Sequence, residues 1–244
     1  MEMKMDKFGN IMETTNRSAA AVRTDAVRAT LFRNVYLWMT MALALTALTA
    51  YAVAGSENLL GLIFGSRLVF FGLVIADLGL VLLLSARIER MSFLTATLMF
   101  ILYSVINGAT FSAVFLLYDL GSIGTTFLVT AGMFGVLSLY GALTGRDLSS
   151  WGNLLVMALA GIVIASLVNL FLRSDTLMWV VTYIGIVLFT ALTAYDTQRI
   201  RRMIYSQAAV DETMQKLALL GALSLYLDFI NLFLYLLRLL GNRR

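Results

Sequence analysis

Apolar stretches long enough to cross a bilayer recur along this chain, with only short polar links between them. They lie at about 35–55, 68–87, 93–117, 123–144, 151–172, 177–196 and 217–240. A helix needs roughly 20 apolar residues to cross a hydrocarbon core about 30 Å thick. Seven such stretches in 244 residues leave too little chain for a separate soluble domain. Composition agrees, since only 13% of residues are charged, against about 25% in a soluble domain. The sequence predicts an all-α, polytopic membrane protein. A seven-helix transmembrane domain, 35–244, follows a polar, basic N-terminal segment, 1–34. That lead is too long and too charged for a typical signal peptide, so the first span is expected to stay in the protein.

The links are short: Gly55 to Arg67, Arg87 to Ser92, Tyr118 to Ser122, Gly145 to Ser150 and Arg173 to Thr176. Short links favour antiparallel neighbours in a compact bundle. Only 197–216 reads as a longer loop. The chain has no Pro, so the Pro-broken spans common in transporters are excluded. It has no Cys and no His, which excludes disulfides, thiol and imidazole catalysis and His- or Cys-ligated metals. Any metal would be a hard cation held by oxygen. Phosphate-cradling and hydrolase motifs are missing. No catalytic residue and no cofactor is expected.

Lys and Arg set the orientation. With the N-terminus cytoplasmic, thirteen lie inside: Lys4, Lys7, Arg17, Arg23, Arg28, Arg33, Arg87, Arg90, Arg146, Arg199, Arg201, Arg202 and Lys216. Four lie outside: Arg67, Arg173, Arg243 and Arg244. Seven spans then place the C-terminus outside. Six spans and a re-entrant last segment would return it inside, and charge counting does not separate the two. The net charge of +4 reflects this loop bias rather than nucleic-acid binding. The tail from Arg17 to Arg33 is expected to anchor the inner side, with contact to anionic lipid as the alternative.

Ionisable groups inside spans are costly and face protein or water. Asp77, Asp196, Asp228 and Arg238 are such groups. In the last span Ser224, Asp228, Asn231, Tyr235 and Arg238 are spaced 4, 3, 4 and 3, one face of a helix. Gly221 extends the same row. A polar row cannot face lipid, because its hydrogen-bonding groups would go unsatisfied, so this span is expected near the bundle centre. Packing through interhelical hydrogen bonds is the plainer reading for Ser224, Asn231 and Tyr235. Asp228 is harder to explain that way. Asp196 has an interfacial pairing with Arg199 or Arg202 as its plainer reading. If its span packs on the last one, Asp196 and Asp228 cannot both ionise easily and share a proton. Deprotonated, they could hold a cation such as Ca²⁺. Asp77 and Arg238 could form a buried pair across two spans. Gly141-x-x-x-Gly145 is a small-residue packing pattern.

The segment LSLYLDFINLFLYLLRLLG, Leu223–Gly241, closely resembles the C-terminal span of bacterial members of the Bax inhibitor-1 family, the transmembrane Bax inhibitor motif proteins. FTALTAYDTQRIRRM, Phe189–Met203, is similar to that family's sixth span and its Tyr-Asp ending. RNVYLWMTMALALTALTAYAVAG, Arg33–Gly55, and LGLVLLLSARIERMS, Leu78–Ser92, resemble its first span and the end of its second. The resemblance implies seven helices with the seventh in the middle, and a pH-sensitive Ca²⁺ leak in a cell inner membrane. It implies a proton-sensing pair at Asp196 and Asp228. It also implies a latching arginine after the second span, at Arg87 or, alternatively, Arg90. Asp77 and Arg238 match the family's acid in span two and arginine in span seven.

Three functions follow as expectations. The first is a cation leak gated by Asp196, Asp228 and Arg87, with Asp77, Arg238, Asn231, Ser224 and Tyr235 as a supporting polar network. The second is a non-transporting regulator of a membrane quality-control protease, with the basic tail as its handle. An intramembrane aspartyl protease is disfavoured, because Gly-x-Gly-Asp precedes neither Asp196 nor Asp228.

Overall fold

A computed structural model describes the backbone of residues 2–206 and 212–243, and side chains from Thr24 onward. The helices are α1 (Glu2–Ala54), α2 (Glu57–Phe64), α3 (Arg67–Arg87), α4 (Phe93–Leu117), α5 (Leu120–Leu143), α6 (Gly152–Leu172), α7 (Asp175–Ser206) and α8 (Glu212–Leu240). All but the short α2 are long and apolar enough to span a bilayer. The protein is therefore an all-α, multi-pass membrane protein.

The turns between spans are written in their capping residues. The Ser92 hydroxyl accepts from the Thr95 amide at 3.2 Å and opens α4. Asp119 accepts from the Ser122 amide at 3.0 Å and opens α5. Ser174 accepts from the Leu177 amide at 3.3 Å at the start of α7. Each satisfies an amide that the first helical turn leaves without a partner. Arg173 closes α6 in the left-handed region, φ 51°.

The helices are not equivalent. In α8, 67% of the most apolar window is buried, against 6% in α3 and 11% in α6. Helix α8 packs on α7, α1, α5 and α4. Its Tyr226, Leu225 and Leu232 are fully enclosed. Helix α3 leans on α4, and α6 leans on α7. Their outward Leu, Val and Phe side chains face what would be lipid. The last helix is the centre, as its polar row required.

Two expectations need correction. The segment 197–216 is mostly helix. Helix α7 runs on to Ser206 and α8 begins at Glu212. Ile200 and Ile204 are spaced one turn apart and pack with Met214 and Ala218, which keeps the helix going past the last polar break. The re-entrant alternative for the last segment is also overturned. Lys216, at the start of α8, donates to the Glu89 and Met91 carbonyls at 3.2 and 3.1 Å. At its other end, Arg243 bridges to Tyr118 and the Asn242 amide donates to Ser122 at 3.0 Å. Helix α8 thus joins the Arg90–Phe93 turn to the α4–α5 turn and crosses the whole bundle. The backbone of α1 is helical from Glu2 onward. The side chains of Lys4, Lys7, Arg17 and Arg23 lie outside the described residues, and so do their expected contacts.

Candidate functional site

The row on α8 faces a cavity. Ser224, Asp228, Asn231 and Tyr235 line a space of about 520 Å³ between α6, α7 and α8, together with Asp196 from α7 and Ser166 from α6. This space exists because α6 packs mainly on α7 and leaves the polar face of α8 uncovered. Asp228 is buried, at 4% exposure, and its Oδ2 has no hydrogen-bond partner among the described residues. Asp196 is half-buried. Two carboxyl-bearing residues from separate helices therefore line one cavity.

The rest of the row is held individually. The Asn231 amide donates to the Leu227 carbonyl at 2.8 Å. The Tyr235 ring stacks on Phe189 at 5.9 Å and lies against Gly185, where a Cβ would collide with it. Arg238 lies 5.8 Å from the Tyr235 ring centroid and donates to the Thr182 hydroxyl at 3.4 Å. With Arg173 it borders a second cavity of about 370 Å³. The two cavities share Ser166 and Leu170, so the crevice continues from the aspartates toward the α6–α7 turn.

Several expected partnerships are not made. Asp77 and Arg238 do not pair. Asp77 accepts from Asn107 of α4 at 3.2 Å, on the side of the bundle where α3 packs, while Arg238 turns into the crevice toward α7. The Arg87 latch is not formed. Arg87 and Arg90 are exposed and neither forms an ion pair with Asp196 among the described residues. The reason is placement. Helix α3 packs on α4, while Asp196 faces the α6 side. Arg199, one turn further along α7, forms no ion pair with Asp196 among the described residues either. The alternative pairing with Arg202 is also overturned. Arg202 bonds Asp147 at 2.7 Å and the Gln198 side chain at 2.6 Å.

These last contacts belong to a clamp that the sequence reading missed. Gln198 donates to the Arg146 carbonyl at 2.8 Å and accepts from the Leu148 amide at 2.9 Å. Arg201 reaches the Ala142 carbonyl. The stretch of α7 just beyond Asp196 is thereby tied to the α5–α6 turn. A second missed network is buried deeper. Thr46 bonds Tyr226 at 2.8 Å, and Asn107 donates to Tyr103 at 2.9 Å as well as to Asp77. A third runs from Tyr36 to Ser138 at 2.6 Å and on to Thr197 at 2.9 Å. Polar residues inside spans were the available signal for the second, whereas the clamp and Thr197 lie in the segments read as loops. Of the small-residue pattern, Gly141 is a contact and Gly145 is not. A Cβ at Gly141 would strike the Ala194 backbone, while at Gly145 it would meet nothing within 4 Å.

A family profile described as Inhibitor of apoptosis-promoting Bax1 matches residues 28–244. The chain belongs to the Bax inhibitor-1 family. Among relatives within reach, the inner membrane protein YbhL of Escherichia coli strain K12 is 51% identical over 234 residues, 96% of this chain and 100% of YbhL. A Borreliella burgdorferi protein is 43% identical over 86% of this chain and 90% of its own length. A membrane protein of Streptococcus pyogenes serotype M1 is 35% identical over 86% of this chain and 92% of its own. Family membership thus covers every span, including the α7 and α8 segments that carry Asp196 and Asp228.

Proposed function

We propose that this Bax inhibitor-1 family protein is a pH-sensitive cation leak, with Ca²⁺ as the cation to test first. One observation carries the reading: Asp196 and Asp228, from different helices, line the same intramembrane cavity. An ionisable residue at membrane depth is by default a functional candidate. Carboxyl groups close enough to interact titrate as a pair, and in this reading Asp196 and Asp228 hold one proton between them. With the proton bound, the pair offers little to a divalent cation. Without it, the pair offers up to four oxygens, and Ser224, Asn231 and Tyr235 add polar groups along the same wall. Ca²⁺ takes 6–8 oxygen ligands. No cluster of three or more metal-ligating side chains exists among the described residues. The cation would therefore keep part of its water shell, which suits passage better than storage.

The crevice supplies a route from Asp196 past Asp228 toward Arg173 and Arg238. In place of the expected arginine latch, the Gln198–Arg202 clamp holds the stretch of α7 that follows Asp196. We assign the Arg146 and Arg199 end to the cytoplasm by the excess of Lys and Arg there. We assign the protein to a cell inner membrane by its similarity to YbhL. Ca²⁺ flux in liposomes, measured at two pH values, tests the reading. Asp196→Asn and Asp228→Asn together should abolish the pH dependence. An unchanged pH response in that double variant rejects the proposal.

A second reading, a regulator of a membrane protease, is favoured by one feature. The 53 residues of α1 extend about 80 Å, far more than a bilayer core needs. Deleting residues 1–25 should release a protein partner while leaving reconstituted flux intact.

A further inference from the structure

Helices α1 and α5 share no extended packing. A groove of about 590 Å³ opens between them, and its floor is Phe229 of the central α8. Small residues give it depth: Ala44 and Ala47 on α1, Ala131 and Gly135 on α5. Its exposed lining is almost wholly apolar. From Phe32 to Ala47 it runs about 22 Å, deeper than the roughly 15 Å of one hydrocarbon leaflet. A smaller apolar cavity shares Leu43, Ala47, Phe127 and Phe229 with it and carries it on toward Ala50.

One end is chemically different. Tyr36, Thr40 and Ser138 bring hydroxyls to the wall. Arg201 is anchored on the carbonyl of Ala142, itself a lining residue. Arg33 is exposed and falls seven and eleven residues before Thr40 and Ala44, which puts it on the groove face of α1. The groove is thus apolar along its length, hydroxylated near one end and cationic at that mouth. This matches the order of acyl chain, ester and phosphate along one lipid molecule.

We propose that the groove between α1 and α5 binds one phospholipid, its acyl chain along Ala44, Ala47 and Gly135 and its phosphate at Arg201 and Arg33. This site shares no lining residue with the Asp196 crevice and does not depend on the leak reading. The backbone offers a clean probe. A side chain at Gly135 or at Gly132 would meet nothing within 4 Å, but only Gly135 lines the groove.

The full-length protein would be purified in detergent with extensive washing, and retained lipid measured by phosphorus assay and native mass spectrometry. The wild type should keep one phospholipid per chain. Gly135→Leu should lower that about tenfold, Gly132→Leu should not, and Arg201→Gln should lower it while leaving the helical signal unchanged. The proposal is overturned if washed wild type carries only detergent, or if Gly135→Leu and Gly132→Leu retain lipid equally. It is also overturned if Gly135→Leu instead abolishes a dimer, since a second copy would then be the occupant. If Gly135→Leu fails to fold, equal retention by Arg201→Gln and wild type overturns it.

Discussion

Asn107 shows what a single side chain does at membrane depth. It is buried, and its amide donates to Asp77 at 3.2 Å and to Tyr103 at 2.9 Å. Removing one partner of a buried hydrogen bond leaves the other unsatisfied, at about 1–3 kcal/mol. Asn107→Leu should destabilise the detergent-solubilised protein by about that amount, while Asn107→Leu with Asp77→Leu should recover much of the loss. Thermal unfolding of the two single variants and the double measures it. Asp147 provides a pH test outside the membrane. The Ser149 amide, then the Arg202 guanidinium, hold its carboxyl down at about 2, below the ordinary 3.8. The folded protein therefore favours the ionised form. The resulting stability is complete above pH 3.8 and is lost as pH falls through about 2. Asp147→Asn should melt below wild type at neutral pH, and the two should converge at the acid end. The clamp is thus intact near neutral pH, and a flux response there must originate elsewhere. The α8 row was legible because a period of 3 and 4 is a property of one helix. The partners of Asp77, Arg87 and Arg238 were not, because a side chain's partner depends on which helices become neighbours.

Helix positions were readable to within a few residues wherever hydropathy ended sharply, as at Ser92 or Asp119. They failed at the end of α7, where polar residues alternate with Ile200 and Ile204 and the helix continues on a partly buried face. Contacts between elements were readable only in part. Gly141 and Gly145 look alike in sequence, but one touches α7 and the other open space. Gly141→Val should force α5 from α7 and cost about 1–3 kcal/mol. Gly145→Ala should be neutral. Comparing their melting temperatures separates contact from pattern. At the end of α6, Arg173 holds a left-handed conformation that costs a side chain about 1–2 kcal/mol. Arg173→Gly should raise thermal stability by up to that amount.

The bundle as a whole is lopsided. Helix α8 is covered by α1, α4, α5 and α7, and its polar face is left toward α6. Any route past the aspartates therefore runs along a crevice to one side of the centre. Ser166→Trp, projecting into that crevice from α6, should reduce reconstituted flux several-fold at every pH without moving its pH dependence. A pore elsewhere would leave flux unchanged. A central seventh helix was expected from the sequence. That the crevice forms against α6 was not, since nothing in α6 itself distinguishes it from the other lipid-facing spans.

The position of α8 also bears on biogenesis. Chains emerge N-terminus first, and α8 is the last of the seven spans in that order. The earlier helices are made before the segment they will surround. Until the 29 residues of α8 arrive, Phe100, Tyr103 and Ile204 lack the surface that encloses them. A chain cut short before α8 would therefore leave those inward faces of α4 and α7 without the surface that buries them.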